Sequence, residues 1–194
     1  KILIRYIPHH ATTAFNIAAP ISLRGSSVSG IPEFRYLGSI VSADCELEKE
    51  ITERISAASR AFHALYHCLW KPRLNISIRT KIRVYQAVVI STLLYASETW
   101  PITQAQLRRL EVFHLRCLRT ILGVRIMDRI HNTGILARTQ QMSIEWTLCT
   151  RRLAWFGHCM RMNDTRIPKQ LLVACIDNAL EKFEDIIAGL MYST

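Results

Sequence analysis

Apolar residues fall along this chain in two rhythms, and the change between them comes just after Asp44. Before it the apolar runs are short. Ile2-Leu3-Ile4-Arg5-Tyr6-Ile7 is rich in β-branched and aromatic residues and stops at Pro8, which is the pattern of a strand. His9 to Pro20 has little periodicity and reads as a loop. Ile21-Ser22-Leu23-Arg24 alternates apolar and polar, Gly25-Ser26-Ser27 predicts a turn, and Val28 to Ile31 predicts a short return strand. With Arg35 to Val41 this makes three or four short antiparallel strands.

After Asp44 the period becomes helical. Leu47, Ile51, Ile55, Ala58, Phe62, Leu65 and Leu69 are spaced 4, 4, 3, 4, 3 and 4, one face of a helix that Pro72 ends. Asp44 can cap its start, and Glu46, Glu48 and Glu50 suit the positive end of its dipole. A second helix is expected from Ser77 through Ile78, Ile82, Tyr85, Val89 and Leu93 to about Glu98, before Pro101. Thr103-Gln104-Ala105-Gln106 is a capping box that opens a third, with Leu107, Leu110, Phe113, Leu118 and Ile121 as its buried side and Gly123 at its stop. A short helix is expected over Thr133 to Arg138. A longer one should run from Ser143 to about Met162, with a stripe of Trp146, Cys149, Leu153, Phe156 and Met160. Asn178 to Leu190 has the pattern of one more amphipathic helix. The fold class is therefore α+β and mostly α-helical, in three parts: 1–43 with the strands, 44–172 as a helical body, and 173–194 as a tail that carries the last helical pattern.

Charge changes this picture by giving the helical body a partner class. The formal net charge is +10 over 194 residues. Residues 1–70 hold seven Lys/Arg against six Asp/Glu, residues 71–170 hold seventeen against five (a net +12), and residues 171–194 hold one against four. Most of these cations are Arg, whose planar fork suits phosphate, so nucleic acid is the expected partner rather than a merely solvated face. Six cysteines lie scattered with no Cys-x-x-Cys pair, there is no signal peptide, and no apolar run is long enough to span a membrane. Reduced thiols in an intracellular protein, with no membrane partner, are expected.

The candidate chemistry sits at the border of the two rhythms. Phe34-Arg35-Tyr36-Leu37-Gly38-Ser39-Ile40 is a strand with an aromatic pair, one cation and a glycine, followed at once by helix. In its form Phe-x-Tyr-Leu-Gly-Ser it resembles the primer-grip hairpin of non-LTR (LINE, RTE-like) retrotransposon reverse transcriptases, where palm passes to thumb. Four later blocks resemble the same family in the same order. They are Ala87 to Trp100, then Leu110 to Arg119 with Ile121-Leu122-Gly123-Val124-Arg125, then Arg151 to His158, then Arg166 to Leu171.

The resemblance implies the C-terminal part of an endonuclease/reverse transcriptase: end of palm, primer grip, thumb and extension. The full-length enzyme would be an RNA-directed DNA polymerase using Mg²⁺. That chemistry needs closely placed carboxylates. No Asp-Asp pair occurs here; Asp44, Asp128, Asp164, Asp177 and Asp185 are isolated. This stretch is therefore expected to be inactive alone, without a catalytic residue, a metal ligand or a cofactor of its own, and to be a piece of a longer frame whose catalytic residues precede Lys1. What it implies for this stretch is grip on a template–primer duplex. The implied partners are RNA–DNA hybrid, RNA template, target DNA and other parts of the retroelement polyprotein, and the implied location is nuclear.

By the resemblance Phe34, Arg35, Tyr36, Leu37 and Gly38 would hold the primer end, glycine allowing close backbone approach. Arg108, Arg109, Arg116 and Arg119 lie on one side of the third helix and are the leading phosphate candidates, with Lys81, Arg83, Arg125, Arg129, Arg151 and Arg152 extending them. The alternative is a non-catalytic helical protein- or RNA-binding module derived from a retroelement. His63, His67 and Cys68, or His114 and Cys117, have the spacing of half a zinc site but are better read as ordinary core or surface residues. Trp70, Trp100, Trp146 and Trp155 are candidate stacking platforms, with Trp155-Phe156 better read as core.

Overall fold

The computed structural model describes residues 21–23, 26–28, 31, 33–42, 47–71 and 75–176. The strand expected at Ile2 to Ile7, the loop at His9 to Pro20, the Asp44 cap, Pro72 and the Asn178–Leu190 helix all lie outside them. The fold is mostly helical α+β, as the two rhythms predict, with two antiparallel hairpins ahead of the helices.

Strands β1 (Ile21–Leu23) and β2 (Ser26–Val28) pair with Ile21 opposite Val28, so the return strand starts earlier than its sequence suggests. The run Arg35 to Val41 is not one strand. It folds back as β3 (Glu33–Tyr36) and β4 (Ser39–Ser42), Phe34 facing Val41 and Tyr36 facing Ser39. Leu37 (φ 48°) and Gly38 (φ 86°) form the two-residue turn, both left-handed, as this tight connection requires. Leucine there carries a steric penalty of about 1–2 kcal/mol, so the reversal is poorly announced by sequence.

Helix α1 (Glu48–Ala64) buries Ile51, Ala58 and Phe62 as its spacing predicts. It continues past Leu65 into a wide π turn, Tyr66–Trp70. There Trp70 stacks on Phe62 at 4.9 Å and donates its indole N–H to the Phe62 carbonyl at 2.7 Å, satisfying a C-terminal helix acceptor. Helix α2 (Ile78–Val84) starts on Ser77, whose hydroxyl accepts the Thr80 N–H. It widens into a π turn over Tyr85–Ile90 and ends as α3 (Ser91–Leu93). The helix expected to reach Glu98 stops five residues short. Leu93 and Leu94 are both fully buried, and the chain then turns through left-handed Ala96 into a 3₁₀ turn at Ser97–Thr99.

Helix α4 (Gln104–Leu122) has both bonds of the Thr103/Gln106 capping box and ends on left-handed Gly123. Leu110, Leu115, Leu118 and Ile121 face the core, and so do His114 and Cys117. A 3₁₀ turn (Ile126–Asp128) leads to α5 (Asn132–Thr139), and α6 (Ile144–Met160) follows. Residues 167–176 are again helical. No helix among the described residues is long and apolar enough to cross a membrane.

The chain divides into two compact units, Lys1–Glu145 and Trp146–Thr194. In the first, α1, α2, α3 and α4 surround one core centred on Phe62, Trp70, Tyr85, Leu93 and Leu110. In α6 the expected stripe is reversed. Trp146 (59% exposed), Cys149, Leu153, Phe156 and Met160 face solvent, while Ile144, Leu148 and Cys159 are buried. Trp155 and Phe156, expected in the core, are exposed as well. Both sides of this helix carry apolar residues, so periodicity alone does not choose the inner one.

Candidate nucleic-acid interface

The β3–β4 hairpin is fixed to α1 mainly through charge. Glu50 is buried although it lies in the first turn of α1, and its Oε2 accepts the Ile40 N–H at 2.7 Å. Its other oxygen takes Arg54 Nε at 2.7 Å. Arg54 Nη2 then donates to the Gly38 carbonyl at 2.7 Å and to Ser39 Oγ at 2.9 Å. The guanidinium also sits 4.7 Å over the Tyr95 ring. Two exposed pairs add to this, Lys49–Glu33 at 2.5 Å and Arg35–Glu53 at 3.6 Å. Between the hairpin, the start of α1 and the turn after α3 lies an open cleft of about 620 Å³, whose walls include Tyr36, Leu37, Tyr95, Trp100 and Pro101.

Of the hairpin residues singled out from sequence, Tyr36 and Leu37 stand out into solvent, Leu37 74% exposed. Phe34 is half-buried and meets the Tyr36 ring edge-on at 6.1 Å. Arg35 points to Glu53 on α1. A Cβ added at Gly38 would meet nothing within 4 Å, so its left-handed φ, not crowding, is what favours glycine. Glu50, Arg54 and Tyr95 were not legible as site residues. The one signal was an acid–base pair four residues apart beside the apolar stripe of α1.

The four arginines of α4 separate into two kinds. Arg108 and Arg116 are exposed, and among the described residues neither has an ion pair or side-chain hydrogen bond. Arg109 instead pairs with Glu48 and donates to Thr52 Oγ1, both on α1. Arg119 donates to the Ile130 carbonyl at 3.3 Å and to Asn132 Oδ1 at 2.7 Å, holding the approach to α5. Lys81 is only 4% exposed, its ammonium 3.5 Å from the Lys71 carbonyl, so it does not extend an outward-facing stripe. Arg83, Arg125 and Arg129 are exposed, Arg129 with a left-handed backbone. Arg151 and Arg152 are half-buried in the second unit. Trp70 and Trp100 are buried and offer no platform; Trp146 and Trp155 are exposed.

His114 belongs to the core. Its Nδ1 accepts from the Tyr85 hydroxyl at 2.8 Å and its Nε2 donates to the Met142 carbonyl at 3.2 Å, a neutral tautomer set by the two partners. Burial lowers its pKa to about 4, raises that of Tyr85 well above the ordinary phenol value, and pushes the Cys117 thiol up to about 12. Burial also raises the Glu111 carboxyl, which accepts the Ile144 N–H at 2.7 Å. His63 is exposed, with its Nδ1 2.8 Å from the Ser59 carbonyl. Among the described residues no three His, Cys, Asp or Glu side chains group as metal ligands.

Two curated proteins are similar to this chain. One is an uncharacterized transposon-derived protein of Caenorhabditis elegans, 27% identical over 147 residues, covering 73% of this chain and 51% of the relative. The other is the RNA-directed DNA polymerase from mobile element jockey of Drosophila funebris, 26% identical over 113 residues, covering 58% of this chain and 12% of the relative. These matches support a retrotransposon origin for the chain. It thus spans about half the length of the first relative and a small part of the second. No protein-family model matches the chain, and no solved structure does.

Proposed function

We propose that this chain grips an RNA–DNA template–primer duplex for a retrotransposon-encoded RNA-directed DNA polymerase whose metal-binding carboxylates lie elsewhere. The observation that carries the reading is the pair Arg108 and Arg116, exposed and eight residues apart on one face of α4. That spacing is about 12 Å along the helix axis, so the two guanidinium groups can meet two separate, non-adjacent phosphates of one duplex. The similarity to the RNA-directed DNA polymerase from mobile element jockey supports the same direction. The wider partners of such a protein are an RNA template and target DNA, and its setting is nuclear.

The test is hybrid binding by the full chain at several salt concentrations, with and without Arg108→Ala and Arg116→Ala. Each substitution should weaken binding and lower the log–log salt slope by about 0.7–0.9. Absent binding, or affinity and slope unchanged by both substitutions, would sink the duplex grip. Equal affinity for hybrid and single strand would turn it into general RNA binding.

One observation favours a second reading, a retroelement-derived protein-binding module. The exposed apolar stripe of α6 is the kind of face that a protein partner covers. Its signature is a complex with a protein that Leu153→Asp disrupts while hybrid binding stays absent.

A further inference from the structure

The Glu50–Arg54 pair is built into the hairpin more firmly than a surface ion pair. Its side chains are 3% and 11% exposed, and beyond the pair itself Glu50 Oε2 is spent on Ile40 and Arg54 Nη2 on Gly38 and Ser39. What the pair holds is a tip that folding alone does not favour. Leu37 is strained at φ 48° and, with Tyr36, puts bulky apolar surface into water. A polar residue tolerant of left-handed backbone would close the same turn at lower cost. Observed strain beside an exposed apolar tip, locked from behind by buried charge, points to an element held ready for contact.

We propose that Glu50 and Arg54 are positioning residues for that tip, fixing Tyr36 and Leu37 against sugar and base faces of the bound strand. The inference rests on the duplex-grip reading and adds a division of labour to it. Arg108 and Arg116 supply salt-sensitive attraction, whereas the tip supplies salt-insensitive apolar contact. Arg54, enclosed as it is, touches no phosphate.

The experiment titrates a labelled RNA–DNA hybrid with the full chain at several salt concentrations. It compares the unchanged protein, Arg54→Ala, Ser39→Ala, Tyr36→Ala/Leu37→Ala, and the triple variant adding Arg54→Ala to that pair. Arg54→Ala should weaken binding about tenfold at every salt concentration, the loss of hydrogen bonds to a charged group, with the slope unchanged. Ser39→Ala on β4 removes one contact and leaves α1 unaltered, guards against a variant that does not fold, and should weaken binding by a smaller factor. Amide exchange at Ile40 should quicken in both. In the Tyr36→Ala/Leu37→Ala background, Arg54→Ala should change affinity no further, because the pair acts through the tip. A merely structural role would lower affinity equally in either background, and that result overturns the proposal. A salt slope reduced by about 0.7–0.9 in Arg54→Ala also overturns it, because Arg54 would then meet phosphate itself. So does unchanged affinity in both Arg54→Ala and Ser39→Ala once Ile40 exchanges faster, and here the duplex grip survives. Failure of the unchanged protein to bind hybrid at low salt removes the grip and the inference together.

Discussion

The Phe62–Trp70–Tyr85 core and the β3–β4 hairpin use the same kind of residue under opposite rules. In the core, Phe62 and Trp70 stack at 4.9 Å with Tyr85 edge-on at 6.3 Å, all three buried. In the hairpin, Phe34 and Tyr36 also meet edge-on, but Tyr36 stands mostly in solvent and charge does the fastening. Each region therefore draws its stability from a different source. Burial holds the core almost regardless of salt, while the hairpin rests on one enclosed ion pair and two exposed ones.

The strongest way to break this contrast is to empty the core. Trp70→Ala removes a fully buried indole together with its bond to the Phe62 carbonyl, and should cost about 3–5 kcal/mol, read as a fall in the urea midpoint at constant slope. A cost below about 1 kcal/mol would mean that the core is not packed around this stack.

Acid probes the same region more gently. His114 titrates near 4 when folded, below the ordinary value of 6.5, so the unfolded chain takes up the proton first. Its contribution is fully present above pH 6.5 and is lost as pH falls toward 4, by about 3 kcal/mol in all. Glu111, raised by burial, binds its proton more readily when folded and offsets part of that loss. Urea midpoints at successive pH values should fall through this window, and His114→Gln should flatten the fall. A midpoint that stays level in the unchanged protein would contradict the buried neutral imidazole.

The smallest effect belongs to the rim of the hairpin. Glu33→Gln breaks an exposed pair with Lys49 and should cost less than about 0.5 kcal/mol, shrinking further as salt rises. A larger or salt-independent loss would show that the rim, and not only Glu50 and Arg54, fastens the hairpin.

This contrast also sorts what was readable in the sequence. The stripe of α1, the Thr103/Gln106 box and the Gly123 stop were legible because they depend on neighbours one turn away. The turn at Leu37-Gly38 was not, since leucine does not advertise a left-handed backbone. The end of α3 was hidden too, because packing of Leu93 and Leu94 sets it, with no glycine or proline to mark it. The basic face of α4 was visible as four arginines. That Arg109 and Arg119 are engaged inside the fold depends on Glu48 and Asn132, which no helical spacing connects to them.

One consequence of the reversed stripe is optical. Trp70 and Trp100 are buried in the first unit, whereas Trp146 and Trp155 are exposed in the second. Indole emission moves to longer wavelength in water, and a dissolved quencher reaches only an accessible ring. The chain therefore carries two natural dyes of different colour, one reporting on each unit, and needs no label to be watched one half at a time.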